Sequence, residues 1–273
     1  MHFLSIIWDP NIEIFRIGNF SVRYYSLMFV IAFVVGLQIM KKIYKNEHVS
    51  LDKLDPLFVY TVIATLVGAR LGHFLFYDFD FLIKHPLEVL LPFRLNPFEF
   101  TGYQGLASHG AAIGIIIAMI LYSKRVLHKP VLWILDRVVI PVAFGGIFVR
   151  LGNLINSEII GKPTNSDFGF IFKQLGEDFP RHPTQLYESF GYLVTFLILW
   201  FVYWKTDKKD KLGYIFGLFM VLLWSVRFIA EFFKEAQVGE RAGWELNTGQ
   251  LLSIPLILSG FYFMFLFKPK KKV

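Results

Sequence analysis

The sequence predicts an all-α polytopic membrane protein of about seven transmembrane helices, with its N-terminus outside (periplasmic) and its C-terminus cytoplasmic. Three observations carry that prediction. Hydrophobic residues make up 55% of the 273-residue chain and charged ones 18%, where a water-soluble domain carries about 25% charge. Apolar stretches close to the ~20 residues that cross a bilayer recur along the whole chain. Basic clusters fall at alternate connections between them, as the positive-inside rule requires.

The opening segment MHFLSIIWDPNIEIFRIGNF has no basic start and carries Asp9 and Glu13 where a signal peptide would have its apolar core. It reads as a short interfacial segment, with Trp8 and the Phe residues at headgroup depth. Spans are expected to begin near Tyr24, Pro56, Gly105, Val131, Thr184, Gly213 and Gly249. Lys41, Lys42, Lys45 and Lys53 follow the first span, and Lys124, Arg125 and Lys129 the third. Lys205, Lys208, Lys209 and Lys211 follow the fifth, and Lys268, Lys270, Lys271 and Lys272 the last, so these connections are the cytoplasmic ones. The opposite segments, near 1–23, 79–104, 156–183 and 236–248, hold scattered bases such as Arg94, Lys162, Arg181 and Arg241 against more numerous acids. No repeat or linker interrupts the pattern, which predicts a single integral membrane domain over 1–273. The net charge of +7 is then mostly an orientation signal, with no continuous basic stripe for nucleic acid. Cysteine is absent, which excludes disulfides, a thiol nucleophile on the enzyme and thiolate metal sites.

With each span given a direction, the polar residues collect in one layer near the outer surface. Tyr25 starts the first span, Arg70 lies in the outer half of the second, and His109 is one turn below the outer end of the third. Arg150 and Asn153 end the fourth, Gln185, Tyr187 and Glu188 open the fifth, Arg227 and Glu231 lie in the outer half of the sixth, and Gln250 opens the seventh. A charge in hydrocarbon costs about 2.5–3.5 kcal/mol on insertion scales, so such residues face the bundle interior or a cavity and mark function. Arg150 and Asn153 are three apart, and Arg227 and Glu231 four apart, so each pair shares a helix face and Glu231 is placed to orient Arg227. Gly68 with Gly72 and Gly110 with Gly114 form small-residue pairs that let helices approach closely. Asp136 and Arg137, at the inner end of the fourth span, read as interfacial charges.

Taken singly, each feature has an ordinary structural explanation: an ion pair between helices, a histidine in helix packing, a packing motif. Their coincidence at one depth is what points to a site. Several arginines in one outer cavity suit a phosphate, because the guanidinium fork stays charged and donates two parallel hydrogen bonds. Phospholipid headgroups are the obvious ligands, and His109 adds a group that exchanges a proton near neutral pH. No metal-ligand cluster, phosphate-binding loop or nucleophile elbow is present in the sequence. A lipid-using transferase fits this chemistry; an outward-facing anion or phospholipid transporter is the alternative, although transporters place such groups near the midplane of inverted repeats.

The stretches GARLGHFLFY, HGAAIG, VRLGNLINSEIIG, RHPTQLYE, RFIAEFF and TGQLLSIPLIL occur in this order between Tyr24 and Leu258. As a set they resemble the phosphatidylglycerol:prolipoprotein diacylglyceryl transferase family of bacteria. The resemblance implies a seven-helix enzyme of the bacterial inner (cytoplasmic) membrane, with its active site toward the periplasm. Such an enzyme moves the diacylglyceryl group of phosphatidylglycerol onto the lipobox cysteine of a preprolipoprotein and releases glycerol phosphate. It implies no cofactor and no metal; the expected partners are phosphatidylglycerol, the preprolipoprotein signal peptide and membrane lipids, and the expected state is a monomer. Residue by residue, it implies catalytic roles for His109, Arg150 and Arg227. Phosphatidylglycerol would be bound by Arg150 with Tyr25, Arg70, Asn153, Glu158 and Glu231, while Gly152 and Gly161 would let the backbone leave the helix. Ser26, Ala111 and the KEAQ stretch that follows RFIAEFF depart from the family's usual pattern.

Overall fold

The computed structural model describes residues 4–18, 20–102, 105, 107–235 and 246–268. Arg241, Lys270, Lys271, Lys272 and most of the 236–248 connection lie outside them. In chain order the elements are β1 (Leu4–Trp8), β2 (Glu13–Ile17), β3 (Phe20–Arg23), α1 (Tyr24–Asn46), α2 (Leu54–Tyr77), α3 (Phe79–Lys84) and α4 (Pro86–Leu90). There follow β4 (Phe93–Leu95), β5 (Phe98–Phe100), α5 (Ser108–Tyr122), α6 (Val131–Ile155), β6 (Phe168–Phe172), α7 (Thr184–Lys205), α8 (Tyr214–Ala230) and α9 (Thr248–Phe261).

Among the described residues six helical segments are long and apolar enough to cross a membrane: Tyr24–Asn46, Leu51–Tyr77, His109–Leu127, Val131–Ile155, Thr184–Lys205 and Thr248–Leu266. The seventh expected span, α8, has 17 residues, the short end of what a bilayer needs. The helices start within a few residues of the expected positions. The largest shift is at α5, which begins at Ser108 and not near Gly105, because Gly105 has φ +68°, outside the helical region. Val30, Val34, Ile63, Ile116, Leu197, Phe201 and Leu258 are exposed, as lipid-facing side chains must be. The interfacial N-terminal segment is a strand: β1 pairs in parallel with β6, and Trp8 Nε1 donates to the Leu154 carbonyl at 2.8 Å, tying the segment to the end of α6.

The chain divides into two compact units, residues 1–40 with 135–273, and residues 41–134. In the second unit α2 and α5 pack backbone against backbone. A Cβ on Gly72 would lie 2.5 Å from Gly110 Cα, and one on Gly114 2.5 Å from the Ala64 carbonyl oxygen, so these small residues are required by closeness. The buried Tyr122 hydroxyl donates to Lys53 O at 2.7 Å and lies 3.0 Å from that of Tyr44.

In the first unit Gly217 of α8 and Gly260 of α9 make a similar close approach. Asp136 and Arg137 are buried within the protein. Gly213, which precedes α8, has no side chain to cap it, so Asp136 of α6 supplies the cap: its carboxylate accepts from Gly213 N at 2.7 Å and Phe216 N at 2.8 Å. Those amides would otherwise be unpaired in an apolar setting.

Candidate functional site

The end of α6 builds the site. Ser157 (φ +53°) and Ile159 (φ +55°) take the left-handed conformation that ends the helix, and Glu158 N donates back to Asn153 O at 2.8 Å. This folds the Glu158 carboxylate over the last turn, where it accepts from Asn153 Nδ2 at 3.2 Å and Asn156 Nδ2 at 3.0 Å. The expected helix-breaking glycines do something else. Gly152 and Gly161 have no positive φ; a Cβ on Gly152 would lie 2.6 Å from the Tyr25 ring, and one on Gly161 would fall on the His182 carbonyl. They are needed for close approach.

Arg150 is buried and held at two points. Its Nε lies 3.1 Å from Glu188 Oε2 and its NH1 donates to Asn153 Oδ1 at 3.1 Å. The guanidinium also lies 5.9 Å from the centre of the Tyr192 ring, which packs against Gly146 one turn earlier on α6. Tyr25, half-buried at the start of α1, covers the backbone at Gly152. Arg150, Asn153, Glu158 and Tyr25 are therefore brought together as expected.

Glu188 is the part the sequence did not assign. It is 0% exposed, and its other oxygen lies 3.1 Å from Lys234 Nζ. Lys234, also buried, is shared with Glu231 at 2.9 Å, and Asn247 Nδ2 donates to Glu231 through both its carbonyl (3.2 Å) and its carboxylate (3.3 Å). Glu231 is thus not paired with Arg227 as the four-residue spacing suggested. The helix ends at Ala230, so the turn that follows swings Lys234 back under Glu231, while Arg227 stacks on Trp224 at 5.0 Å. Asn247 caps α9 with a reciprocal box to Gln250, whose backbone N donates to Asn247 Oδ1 at 2.8 Å. Buried cations are tolerated when neutralised, and here Glu188 and Glu231 balance Arg150 and Lys234. Lys234 stands in the KEAQ stretch that looked like a departure; the signal for it was a second basic residue three positions after Glu231.

The connection between α6 and α7 is pinned by Arg181, which binds Glu177 through Nε and NH2 at 2.6 Å each, and reaches Gly161 O (3.0 Å) and Glu235 (2.7 Å) through NH1. These carboxylates raise its pKa above the ordinary arginine value. His182 Nδ1 lies 3.1 Å from the Tyr187 hydroxyl, and burial pushes its pKa below the ordinary histidine value.

Two expected site residues fall in the unit of residues 41–134. Arg70 is buried and uses its fork on main chain: Nε donates to Val89 O at 2.9 Å and NH2 to Glu88 O at 3.2 Å, with Phe74 4.8 Å below the guanidinium. It holds the end of α4, whose carbonyls lack helical partners. His109 lies in the first turn of α5 and not one turn in; it is exposed, with its ring 4.9 Å from Phe76 and 5.8 Å from Tyr77. Among the described residues no group of three or more His, Cys, Asp or Glu is placed to hold a metal.

A buried, doubly held arginine fork beside hydrogen-bonding amides and a neutralised lysine can bind a phosphoryl group. The family model described as prolipoprotein diacylglyceryl transferase matches residues 12–266. Proteins named Phosphatidylglycerol--prolipoprotein diacylglyceryl transferase are similar over nearly the whole chain. The one from Bacteroides fragilis is 40% identical, covering 99% of this chain and 98% of its own. That from Tolumonas auensis is 37% identical (97% and 99%), and that from Chloroherpeton thalassium 38% (95% and 93%).

Proposed function

The chain belongs to the prolipoprotein diacylglyceryl transferase family, and from that premise we propose how its residues carry out the reaction. The protein transfers a diacylglyceryl group to a prolipoprotein, the first step of lipoprotein maturation. The donor is phosphatidylglycerol and the acceptor is the thiol of the lipobox cysteine. Sulfur attacks the glycerol carbon that bears the phosphoester; the new C–S bond is a thioether, the C–O bond breaks, and its electron pair leaves with glycerol phosphate.

The observation that supports this reading is the held fork of Arg150. Glu188 and Asn153 fix the plane of its guanidinium before any ligand arrives, so its donors are directed at the phosphate and stabilise the charge that develops on the departing oxygen. Arg227, stacked on Trp224, adds positive charge that favours thiolate over thiol. That help is needed because a free thiol, pKa about 8.5, is mostly protonated at pH 7. His109 is the proposed acceptor of the thiol proton, on the chemistry of imidazole. Tyr25, Asn153, Glu158 and Glu231 hold the lipid headgroup and the loop around it; Arg70 acts on the lipid through the segment it anchors. We further propose a monomer in the bacterial inner membrane, N-terminus outside and site toward the periplasm, from the alternation of basic connections.

Purified protein incubated with phosphatidylglycerol and a lipobox peptide should yield a thioether product with Cys at the acceptor position and none with Ser. Product with neither peptide, alongside uptake of lipid or anion into vesicles, would replace the transferase with a transporter.

A further inference from the structure

Arg150, Asn153, Glu158, Gln185 and Glu188 close a ring. Arg150 Nε contacts Glu188, its NH1 donates to Asn153, Asn153 donates to Glu158, and Gln185 Nε2 donates to the Glu158 carbonyl at 2.6 Å. Gln185 and Glu188 are three apart at the start of α7, on one face. Both are 0% exposed. In this ring, and in Asn156, which donates to the Glu158 carboxylate at 3.0 Å, the hydrogen bonds use up donors and leave acceptors over. Gln185 Oε1, Glu188 Oε2 and Asn156 Oδ1 are buried oxygens without a hydrogen-bond partner among the described residues. Glu188 Oε2 lies at ion-pair distance from Arg150 Nε but off the direction of its N–H. The amide orientations are fixed: turning Gln185 or Asn156 over would set oxygen against the Glu158 oxygens. Buried acceptors without hydrogen-bond donors are destabilising, so three on the residues linked to Arg150 and Glu158 call for a ligand that brings donors.

We propose that these three oxygens read the headgroup of the donor lipid by accepting hydrogen bonds from the two hydroxyls of its glycerol; the proposal rests on the phosphatidylglycerol reading above. Phosphate alone brings only acceptors and leaves all three oxygens unpaired. An ammonium headgroup brings donors but adds a third positive charge to a carboxylate already shared by Arg150 and Lys234. A neutral polyol beside a phosphate supplies donors without that charge, so Gln185 and Glu188 are specificity-determining residues for this headgroup.

The test uses the full-length protein, a lipobox peptide and three donors: phosphatidylglycerol, phosphatidylethanol, which keeps the anionic phosphate but has no hydroxyl, and phosphatidylethanolamine. Wild type should prefer phosphatidylglycerol to each of the others by at least about 10-fold in kcat/KM. Gln185→Met should lower use of phosphatidylglycerol about 10-fold more than use of phosphatidylethanol. A parallel fall with both donors makes Gln185 a scaffold residue and overturns the proposal, as does equal use of the two lipids by wild type. Absence of transfer from every donor would instead sink the underlying transferase reading, and the headgroup role with it. Should Gln185→Met not fold, wild-type protein alone decides: sn-glycerol 1-phosphate should inhibit more strongly than ethyl phosphate or phosphoethanolamine, and equal inhibition overturns the assignment.

Discussion

Arg150 and Arg70 are both arginines on membrane-type helices, both buried, and both carry an aromatic ring beneath the guanidinium. Their partners differ. Arg150 is bound by side chains from its own helix and from α7, whereas Arg70 is bound by main-chain carbonyls at the end of a short helix. Side-chain partners can be reorganised around an incoming anion; carbonyls that lack other donors cannot release their arginine without leaving acceptors unpaired. On the function proposed above, the contrast separates an arginine that meets the ligand directly from one that acts through the segment it anchors, a distinction that residue type and depth cannot make.

The largest expected effect tests this contrast directly. Arg150→Lys should reduce transfer at least about 100-fold with the protein still folded and inserted, because an ammonium cannot reproduce the bidentate fork. Arg70→Lys should lower thermal stability and keep turnover within about 10-fold of wild type, since one point donor still reaches a carbonyl. The reverse ranking in paired turnover and melting measurements would exchange the two roles.

Next comes His109, assigned from chemistry alone. His109→Gln should cost roughly 100-fold in turnover if imidazole takes the thiol proton. A variant that stays within a few-fold of wild type leaves thiolate formation to the arginines.

Smaller, but sharper about the network, is the buried pair. Glu188→Gln should destabilise by about 3 kcal/mol, since it leaves buried Arg150 without its carboxylate and Lys234 with Glu231 alone. Lys234→Met should cost less in the Glu188→Gln background than in wild type, a coupling that a double-mutant cycle in thermal or denaturant stability would reveal. Additive effects would show that Lys234 and Glu188 are neighbours without energetic coupling. In the other unit Gly110→Ala should cost about 1–3 kcal/mol by overpacking α2 against α5, without altering the ratio of donors used.

The smallest effect belongs to His182. Its pKa is lowered by burial, so the folded state favours the neutral ring. The unfolded chain then binds the extra proton, and stability is full above the ordinary histidine pKa of about 6.5 and declines as pH falls from there through the folded value. The difference in melting temperature between wild type and His182→Gln should therefore shrink on acidification from pH 7.5 to 5.5. A difference independent of pH removes titration from the account.

Much of the fold was legible because hydropathy and helix length are local: the starts of α1, α6, α7 and α9 could be read from apolar windows flanked by polar residues. The cluster of Arg150, Asn153 and Glu158 was legible too, since one helix turn and one tight loop hold it. What escaped was non-local. Glu188 and Lys234 are 46 positions apart, and no spacing rule links them; the four-residue rule for Arg227 and Glu231 was overridden by Lys234, which takes the Glu231 carboxylate. The cap that Asp136 supplies was not legible because a helix cap normally comes from the residue next to the helix.

That cap bears on biogenesis. The acceptor for the first amides of α8 is 77 residues upstream of Gly213, in a helix that leaves the ribosome two spans earlier. When α8 enters the bilayer its leading edge has a docking point already in place, so a short apolar segment, at 17 residues the least able to insert on length alone, is the one supplied with a receptor. Asp136→Ala should therefore show first as mis-insertion of α8 in nascent chains, before any defect in chemistry can be measured.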